Sequence, residues 1–231
     1  MDIFQKIVKQ SRFSNKKIFL DQDYTYNDLY NLTRDYLFFF KSKLKTGEII
    51  CLVLPYSIDF IAIILSARIN GNVICILNPN QTEFEKNSIL SQVSYSMIIS
   101  EKNFNQKNQR LNNFYYYEIK KKLKKKLKKD DAFIVFTSGT TTNPKGAILT
   151  NNSIKNNVNG IIGQLNLNSK DKTIIYSPPN YAMGISQVIT FLYLKCSFLL
   201  DVNSIKFVNN FLNKIKKNKI SILNLNIASF K

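Results

Sequence analysis

Histidine is absent from the 231 residues, which removes the commonest general base near neutral pH and the commonest metal ligand. Ser-His-Asp, Cys-His and histidine-metal mechanisms are therefore excluded, and any chemistry must use lysine, hydroxyls, backbone amides, carboxylates or a bound cation. Cysteine is scarce. Cys51, Cys75 and Cys196 lie far apart in apolar stretches, where small buried hydrophobes are expected rather than a disulfide framework or a cysteine metal site. Arginine is scarce too: of 33 basic residues, only Arg12, Arg34, Arg68 and Arg110 carry the guanidinium that grips phosphate bidentately and reads bases. The net charge of +18 is thus mostly lysine, and it sits among the Ile, Asn, Phe and Tyr that AT-rich codons also favour. No specific nucleic-acid partner is expected.

Long hydrophobic runs are missing as well. The longest, Ile58 to Ala67, is closed by Arg68 and falls short of the roughly 18 residues that span a bilayer. The N-terminal stretch to Lys17 spreads its charges at helical spacing and has no uncharged signal-peptide core. A cytoplasmic protein without a membrane span is expected. With 45% hydrophobic residues, there is ample material for a buried core.

Apolar periodicity alternates between short strand-like runs and longer helical patterns. Helices are expected over residues 2–10, from Thr25 to about Lys43, over 57–70 and from Thr82, with strands near 17–20 and over 49–55, 72–78 and 95–100. Thr25-Tyr-Asn-Asp28 and Thr82-Glu-Phe-Glu85 read as capping boxes. Residues 101–131 break the pattern with a polar, Asn/Gln/Lys-rich stretch, read as a connector or insertion, whose Lys120–Lys129 cluster is a solvated helix face or flexible loop, or else a phosphate or membrane-surface patch. From 132 onward the rhythm resumes to about residue 225, ending in the strand-like KISILNL. The expected organisation is a β/α subdomain over 1–100, the connector 101–131, and a second β/α subdomain over 132–231, with one continuous domain as the alternative. The expected fold class is α/β: a layered β/α sandwich with mostly parallel sheets covered by helices.

Directly after the apolar strand Ala132 to Phe136 comes TSGTTTNPKG, residues 137–146, with five hydroxyl residues, two glycines and Lys145 within ten positions. Small residues let the backbone approach a ligand, hydroxyls and free amides donate to phosphate oxygens, and Lys145 adds a mobile positive charge. Ligands of parallel sheets bind at strand carboxyl ends, where this loop lies. A polyphosphate is the natural ligand. The order of Lys145 between Pro144 and Gly146 is not that of a Walker A loop.

The string resembles the phosphate-binding signature of the adenylate-forming superfamily, which includes acyl-CoA synthetases, peptide-synthetase adenylation domains and luciferases. Further segments are similar in order and spacing: Tyr24 to Leu29 to a TYxEL helix start, Thr46-Gly47-Glu48 to a GD turn, Leu54 to Asp59 to LPNSxE, Ala67 to Pro79 to AxxxGAVxxPLNP, Ser177 to Gly184 to LPLFHxxG, and Lys219 to Leu223 to KVTxL. The resemblance implies the N-terminal portion of the adenylate-forming fold. It implies that Thr137, Ser138, Gly139, Thr140, Thr141, Thr142, Lys145 and Gly146 hold ATP phosphates with Mg²⁺, Lys145 being the catalytic candidate. It also implies that a small-molecule carboxylic acid attacks the α-phosphorus, and that coenzyme A or a phosphopantetheine carrier accepts the acyl group. Tyr181, Met183 and Gly184 are the implied substrate-pocket residues.

Departures from the pattern are specific. Thr142 stands where the family has glycine, Asn151 and Tyr181 where it has histidine, and Ile76 where it has proline. A threonine forced to positive φ at position 142 would cost about 1–2 kcal/mol. The chain stops at Lys231, before the places where the family keeps its metal-linked glutamate, its ribose-binding aspartate and its C-terminal lysine. The only carboxylates after the loop are Asp171 and Asp201, expected as surface or turn residues. Three readings follow: part of an enzyme completed by a separate polypeptide or a continuation, a degenerate nucleotide-binding module, or a basic binder of nucleic acid or anionic surfaces.

Overall fold

The computed structural model describes residues 2–103, 109–119, 127–136, 144–202 and 208–224. Helix α1 (Ile3–Ser11) turns Ile3, Phe4 and Ile7 inward, and its N-cap Asp2 accepts from the amide of Phe4. Helix α2 (Tyr26–Lys43) starts at the expected capping box, Thr25 and Asp28 each satisfying the other's backbone amide. Its buried stripe of Tyr26, Leu29, Thr33, Tyr36 and Phe40 follows the helical period. Strand β1 (Ile49–Val53), helix α3 (Ile58–Ile69) and strand β2 (Val73–Ile76) form the first β-α-β unit, closed by Gly71. Gly71 has φ +82°, and a Cβ there would stand 2.7 Å from Thr46 Cγ2, so both backbone and packing require glycine.

Helix α4 (Glu83–Gln92) begins at the second expected box, Thr82 and Glu85, and leads into β3 (Met97–Ser100). Strands β4 (Gln109–Leu111) and β5 (Phe114–Glu118) come from the polar segment read as a connector. Then follow β6 (Asp131–Phe136), β7 (Gly146–Thr150), α5 (Asn151–Leu165), β8 (Lys172–Ile175), α6 (Ala182–Tyr193), β9 (Ser197–Leu200) and α7 (Val208–Asn218).

Seven strands make one sheet in the order β4-β5-β3-β1-β2-β6-β7. The central four, β3-β1-β2-β6, are parallel, while β5, β4 and β7 are antiparallel at the two sides. Residues before and after the 101–131 segment share this sheet, since β2 pairs with β6 in the register Ile74 with Phe133. Both faces are covered. Ile50 and Leu52 of β1 point into a large core shared with α1, α2, α3 and α6, whereas Ile49, Cys51 and Val53 point into a smaller core under α4. That is why β1 reads as an unbroken apolar run rather than an alternating one.

A second sheet pairs β8 with β9 in parallel. The expected strands at 17–20 and 219–223 reduce to single bridges on its two sides, Phe19 to Phe198 and Ile222 to Thr173. Each is too short for a ladder: beyond it the chain turns away, through the Lys17–Thr25 bridge on one side and at Lys219, which has φ 50°, on the other. Helices α3 and α6 lie between the layers, meeting through Ile61, Leu65, Val188 and Leu192. Both are buried on nearly every side. Among the described residues, no helix is long and apolar enough to cross a membrane.

Candidate functional site

Strand β6 ends at Phe136 and β7 begins at Gly146, and these two residues pair across the antiparallel register. The hydroxyl-rich loop therefore leaves and re-enters one pair of strands, at the carboxyl end of the parallel array where ligands of such sheets bind. Thr137, Ser138, Gly139, Thr140, Thr141 and Thr142 lie outside the described residues. Lys145 and Gly146 are described, and both are exposed at the start of β7. A Cβ on Gly146 would stand 3.1 Å from the Phe136 ring, so glycine lets that ring close the foot of the loop.

The other end of the pair is tied down by hydrogen bonds. The amide of Asn151 donates to the carbonyl of Asp130 at 2.8 Å, and the Thr150 side chain caps α5 through Ser153. Asn151, at the family's histidine position, accepts from Arg68 Nη2 at 3.0 Å. Arg68 is 4% exposed, also donates to the carbonyl of Asn72, and stacks its guanidinium over the Phe4 ring. Burial lowers its pKa to about 10, against the opposing pull of Asp2, Asp130 and Asp131.

The turn between β8 and α6 supplies the pocket candidates. Tyr181 is the N-cap of α6, makes no side-chain capping bond, and is exposed. Gly184 is buried, and a Cβ on it would meet the carbonyl oxygens of Pro178 at 2.3 Å and Ser177 at 2.8 Å. Tyr56, just beyond the carboxyl end of β1, donates to that same Ser177 carbonyl at 3.0 Å, and burial raises its phenol well above the usual tyrosine range. Met183 lines a cavity of about 500 Å³ between α5 and α6, a size that suits a small molecule. Tyr181 and Gly184 are not among its walls. The structure thus brings Met183 to a cavity, gives Gly184 a close-packing role, and leaves Tyr181 at the surface.

Several residues at the site have no counterpart in the sequence reading. Asn157 of α5 accepts from Ser186 of α6 across the cavity. Asn180 and Gln187, 8% and 5% exposed, each carry a buried side-chain oxygen with no hydrogen-bond partner among the described residues. The one visible signal is Gln187 itself, a polar residue within the mainly apolar run ISQVITFLYL.

Asp171 closes the turn from Asn168, as expected, whereas Asp201 directly follows β9 and is half-buried. Asp171 accepts from Ser221 at 2.8 Å and from the amide of Asn168 at 2.8 Å, and Asp201 pairs with Lys214. The three cysteines are buried free thiols. Burial pushes the Cys51 thiol up, and that of Cys196 to about 11, which keeps both protonated and unreactive. Of the lysine cluster, residues 120–126 lie outside the described residues, while Leu127 packs against the core under α4.

The fold is α/β, and the chain leaves β6 and re-enters β7 at the carboxyl end of the parallel strands. Residues 7–226 match the family model for AMP-binding enzymes, and the chain belongs to that family. Among solved structures it is similar to the Klebsiella oxytoca NpsA N-terminal subdomain in complex with 3-hydroxybenzoyl-AMSN (TM-score 0.76, 18% identity, 96% of this chain and 58% of that one). It is similar to the o-succinylbenzoate coenzyme A synthetase MenE of Bacillus subtilis in complex with AMP (TM-score 0.73, 15% identity, 94% of this chain and 60% of that one). It is also similar to part of the four-domain nonribosomal peptide synthetase AB3403 bound to AMP and glycine (TM-score 0.82, 17% identity, 100% of this chain and 18% of that one). The chain thus has the mixed α/β fold of the N-terminal part of adenylate-forming enzymes, and spans 58–60% of the NpsA and MenE structures. No curated protein sequence matches it.

Proposed function

We propose that this chain supplies the ATP phosphate-binding part of an enzyme that activates a carboxylic acid as an acyl-adenylate. The observation that supports this most directly is the family match over 7–226 together with a loop of five hydroxyls, two glycines and Lys145 strung between β6 and β7. In this reading the hydroxyls and amides of Thr137 to Thr142 donate to the β- and γ-phosphate oxygens, and Lys145 neutralises part of their charge. The acid's carboxylate oxygen attacks the α-phosphorus, the bond from that phosphorus to the oxygen bridging to the β-phosphate breaks, and pyrophosphate leaves. Positioning and charge neutralisation dominate such a transfer, so a chain without histidine is equipped for it.

The donor set suits a triphosphate. Among the described residues no cluster of three or more acidic, cysteine or histidine side chains gathers to hold a metal ion. The loop hydroxyls are the groups that would hold Mg²⁺ beside a triphosphate, and the ion would supply neutralisation of phosphate charge. Transfer of the acyl group to coenzyme A or a phosphopantetheine carrier would complete the reaction. Carboxylate-dependent ATP–pyrophosphate exchange tests the proposal. Exchange that rises with an added acid supports the adenylation reading, saturable Mg-ATP binding without exchange supports the phosphate-binding part alone, and neither exchange nor ATP binding would refute the proposal.

A further inference from the structure

Helix α1 ends in a tight turn. The amide of Ser14 donates to the carbonyl of Ser11 at 3.1 Å, with Arg12 at φ −57°, ψ 132° and Phe13 at φ 60°. That is a type II turn, whose third position demands positive φ and is ordinarily filled by glycine. Here it holds a phenylalanine that is 79% exposed, its amide fixed by a hydrogen bond to Asn27 Oδ1 at 3.1 Å. A bulky residue in the left-handed region is an outlier, and such strain persists mainly at ligand-binding and other functional sites.

The Phe13 ring is one end of a line in which aromatic and guanidinium groups alternate. Arg12 lies over it at 4.5 Å and 6.0 Å from the Tyr30 ring, and Arg34 lies 5.8 Å from that same Tyr30 ring. Phe38, one helical turn beyond Arg34 on α2, is also 79% exposed. The basic character continues past Arg12. Lys16 follows, its carbonyl accepting from the Tyr26 amide at 2.9 Å, and Lys195 stands over the Tyr26 ring at 6.0 Å. The parallel bridge of Phe19 with Phe198 brings Lys16 and Lys195 to the same end of the second sheet, where Lys172 begins β8. Burial, and then the charges of Lys195 and Lys172, hold Lys16 below the usual lysine range. Carboxylates on these segments are largely engaged, Asp23 with Lys17, Asp28 with Thr25 and Asp171 with Ser221, while Asp35 beside Arg34 is exposed.

We infer that this face binds single-stranded nucleic acid without reading its sequence: bases stack on Phe13 and Phe38, and phosphates lie against Arg12, Arg34, Lys16 and Lys195. Rings interleaved with cations suit a single strand, since every base offers a face to stack and every nucleotide a phosphate. A duplex has no free base face within its stack to offer these rings. A lipid surface needs a continuous apolar face to bury, whereas here guanidinium groups separate the two exposed rings. The face lies at the amino ends of β8 and β9, away from the turn after β8 that carries Tyr181, so what it binds is independent of the adenylation reading.

The test is fluorescence anisotropy of the 231-residue chain with a labelled oligothymidylate of about 16 nucleotides, free and annealed to its complement. Wild type is expected to prefer the single strand by about tenfold or more. Phe13→Gly suits the turn better than the native residue, and Phe38→Ala lies at an exposed helix position. Each is expected to weaken single-strand binding about tenfold, as loss of one stacked base requires, and to leave duplex binding unchanged. Arg12→Gln combined with Arg34→Gln is expected to reduce the slope of log K against log salt by about 1.4, two phosphate contacts at about 0.7 each. Equal affinity for single strand and duplex, or single-strand affinity that neither ring variant alters, would overturn the inference and leave diffuse lysine charge as the cause of binding. Binding to vesicles of equimolar phosphatidylcholine and phosphatidylserine with no oligonucleotide bound would overturn it in favour of a lipid surface, and binding of neither would overturn it outright.

Discussion

Arg68 of α3 donates to the side-chain oxygen of Asn151 at the first turn of α5, across 3.0 Å. The contact ties the last turn of α3 to the start of α5, directly after the strand that follows the hydroxyl-rich loop. Because Arg68 also satisfies the carbonyl of Asn72, replacing it by methionine leaves one buried and one half-buried acceptor without that donor. A loss of about 2–4 kcal/mol in urea unfolding is expected. Asn151→Ala, which removes one bond and little packing, is expected to cost about 1 kcal/mol.

The pH dependence of that loss has a definite sign. Burial lowers the Arg68 pKa to about 10, well below the usual arginine range, so the folded state releases this proton earlier than the unfolded chain does. From pH 5 to 9 the group is protonated in both states, and the difference between wild type and Arg68→Met is expected to be flat. Between about pH 10 and 12.5 the unfolded chain binds more protons, so Arg68's own contribution to stability rises with pH. A difference that changed across pH 5 to 9 would contradict the assignment.

Two glycines separate packing from propensity. Gly184→Ala would drive a methyl to 2.3 Å from the Pro178 carbonyl, and a backbone cannot yield as a side chain can. Loss of more than about 3 kcal/mol, or insoluble protein, is expected. Gly160 is exposed within α5, and nothing lies within 4 Å of an added Cβ. There alanine is expected to stabilise by about 0.5–1 kcal/mol. Thermal unfolding of both variants checks the pair.

Thr25 opens the 18-residue helix α2 through its reciprocal bonds with Asp28. Thr25→Ala is expected to cost about 1 kcal/mol, which for a chain of this size lowers the melting temperature by about 2–4 °C. Glu85 makes the corresponding bonds at α4, and the hydrogen bonds from Thr82 hold its carboxyl below the usual range. Its contribution is therefore present above the ordinary glutamate pKa and is lost as pH falls through the lowered one.

The capping boxes at Thr25 and Thr82 and the doubly buried strands were legible because each rests on neighbours in sequence. The hairpin of β4 and β5 was not. In FYYYE the buried Phe114 and Tyr116 alternate with the less buried Tyr115 and Tyr117, and four aromatic residues in a row hide a period of two. The bridges at Phe19 and Ile222 depend on partners far along the chain, and so do the α5–α6 cavity, the bond from Arg68 to Asn151, and the unmet oxygen of Gln187. The loop's composition could be read directly, since its glycines, hydroxyls and lysine are contiguous. Packing decided the rest: the Phe136 ring lies 3.1 Å from where a Cβ on Gly146 would stand, a closeness set by the pairing of β6 with β7.

That contact yields a prediction for the loop. Gly146→Val would press on the Phe136 ring, now 3.1 Å from the position of a Cβ, and shift the strand that carries Lys145. Weaker ATP binding with a near-wild-type melting temperature is expected. Unchanged binding would show that the foot of the loop does not position it.

The most direct measurement is titration of the chain with Mg-ATP, wild type beside Lys145→Ala. Saturable binding by wild type is expected, weakened about tenfold to a hundredfold in the variant, as loss of a charge-assisted hydrogen bond of about 1.5–3 kcal/mol requires. Equal affinity for the two proteins, or no binding by wild type, would contradict the assignment of residues 137–146 as the phosphate site.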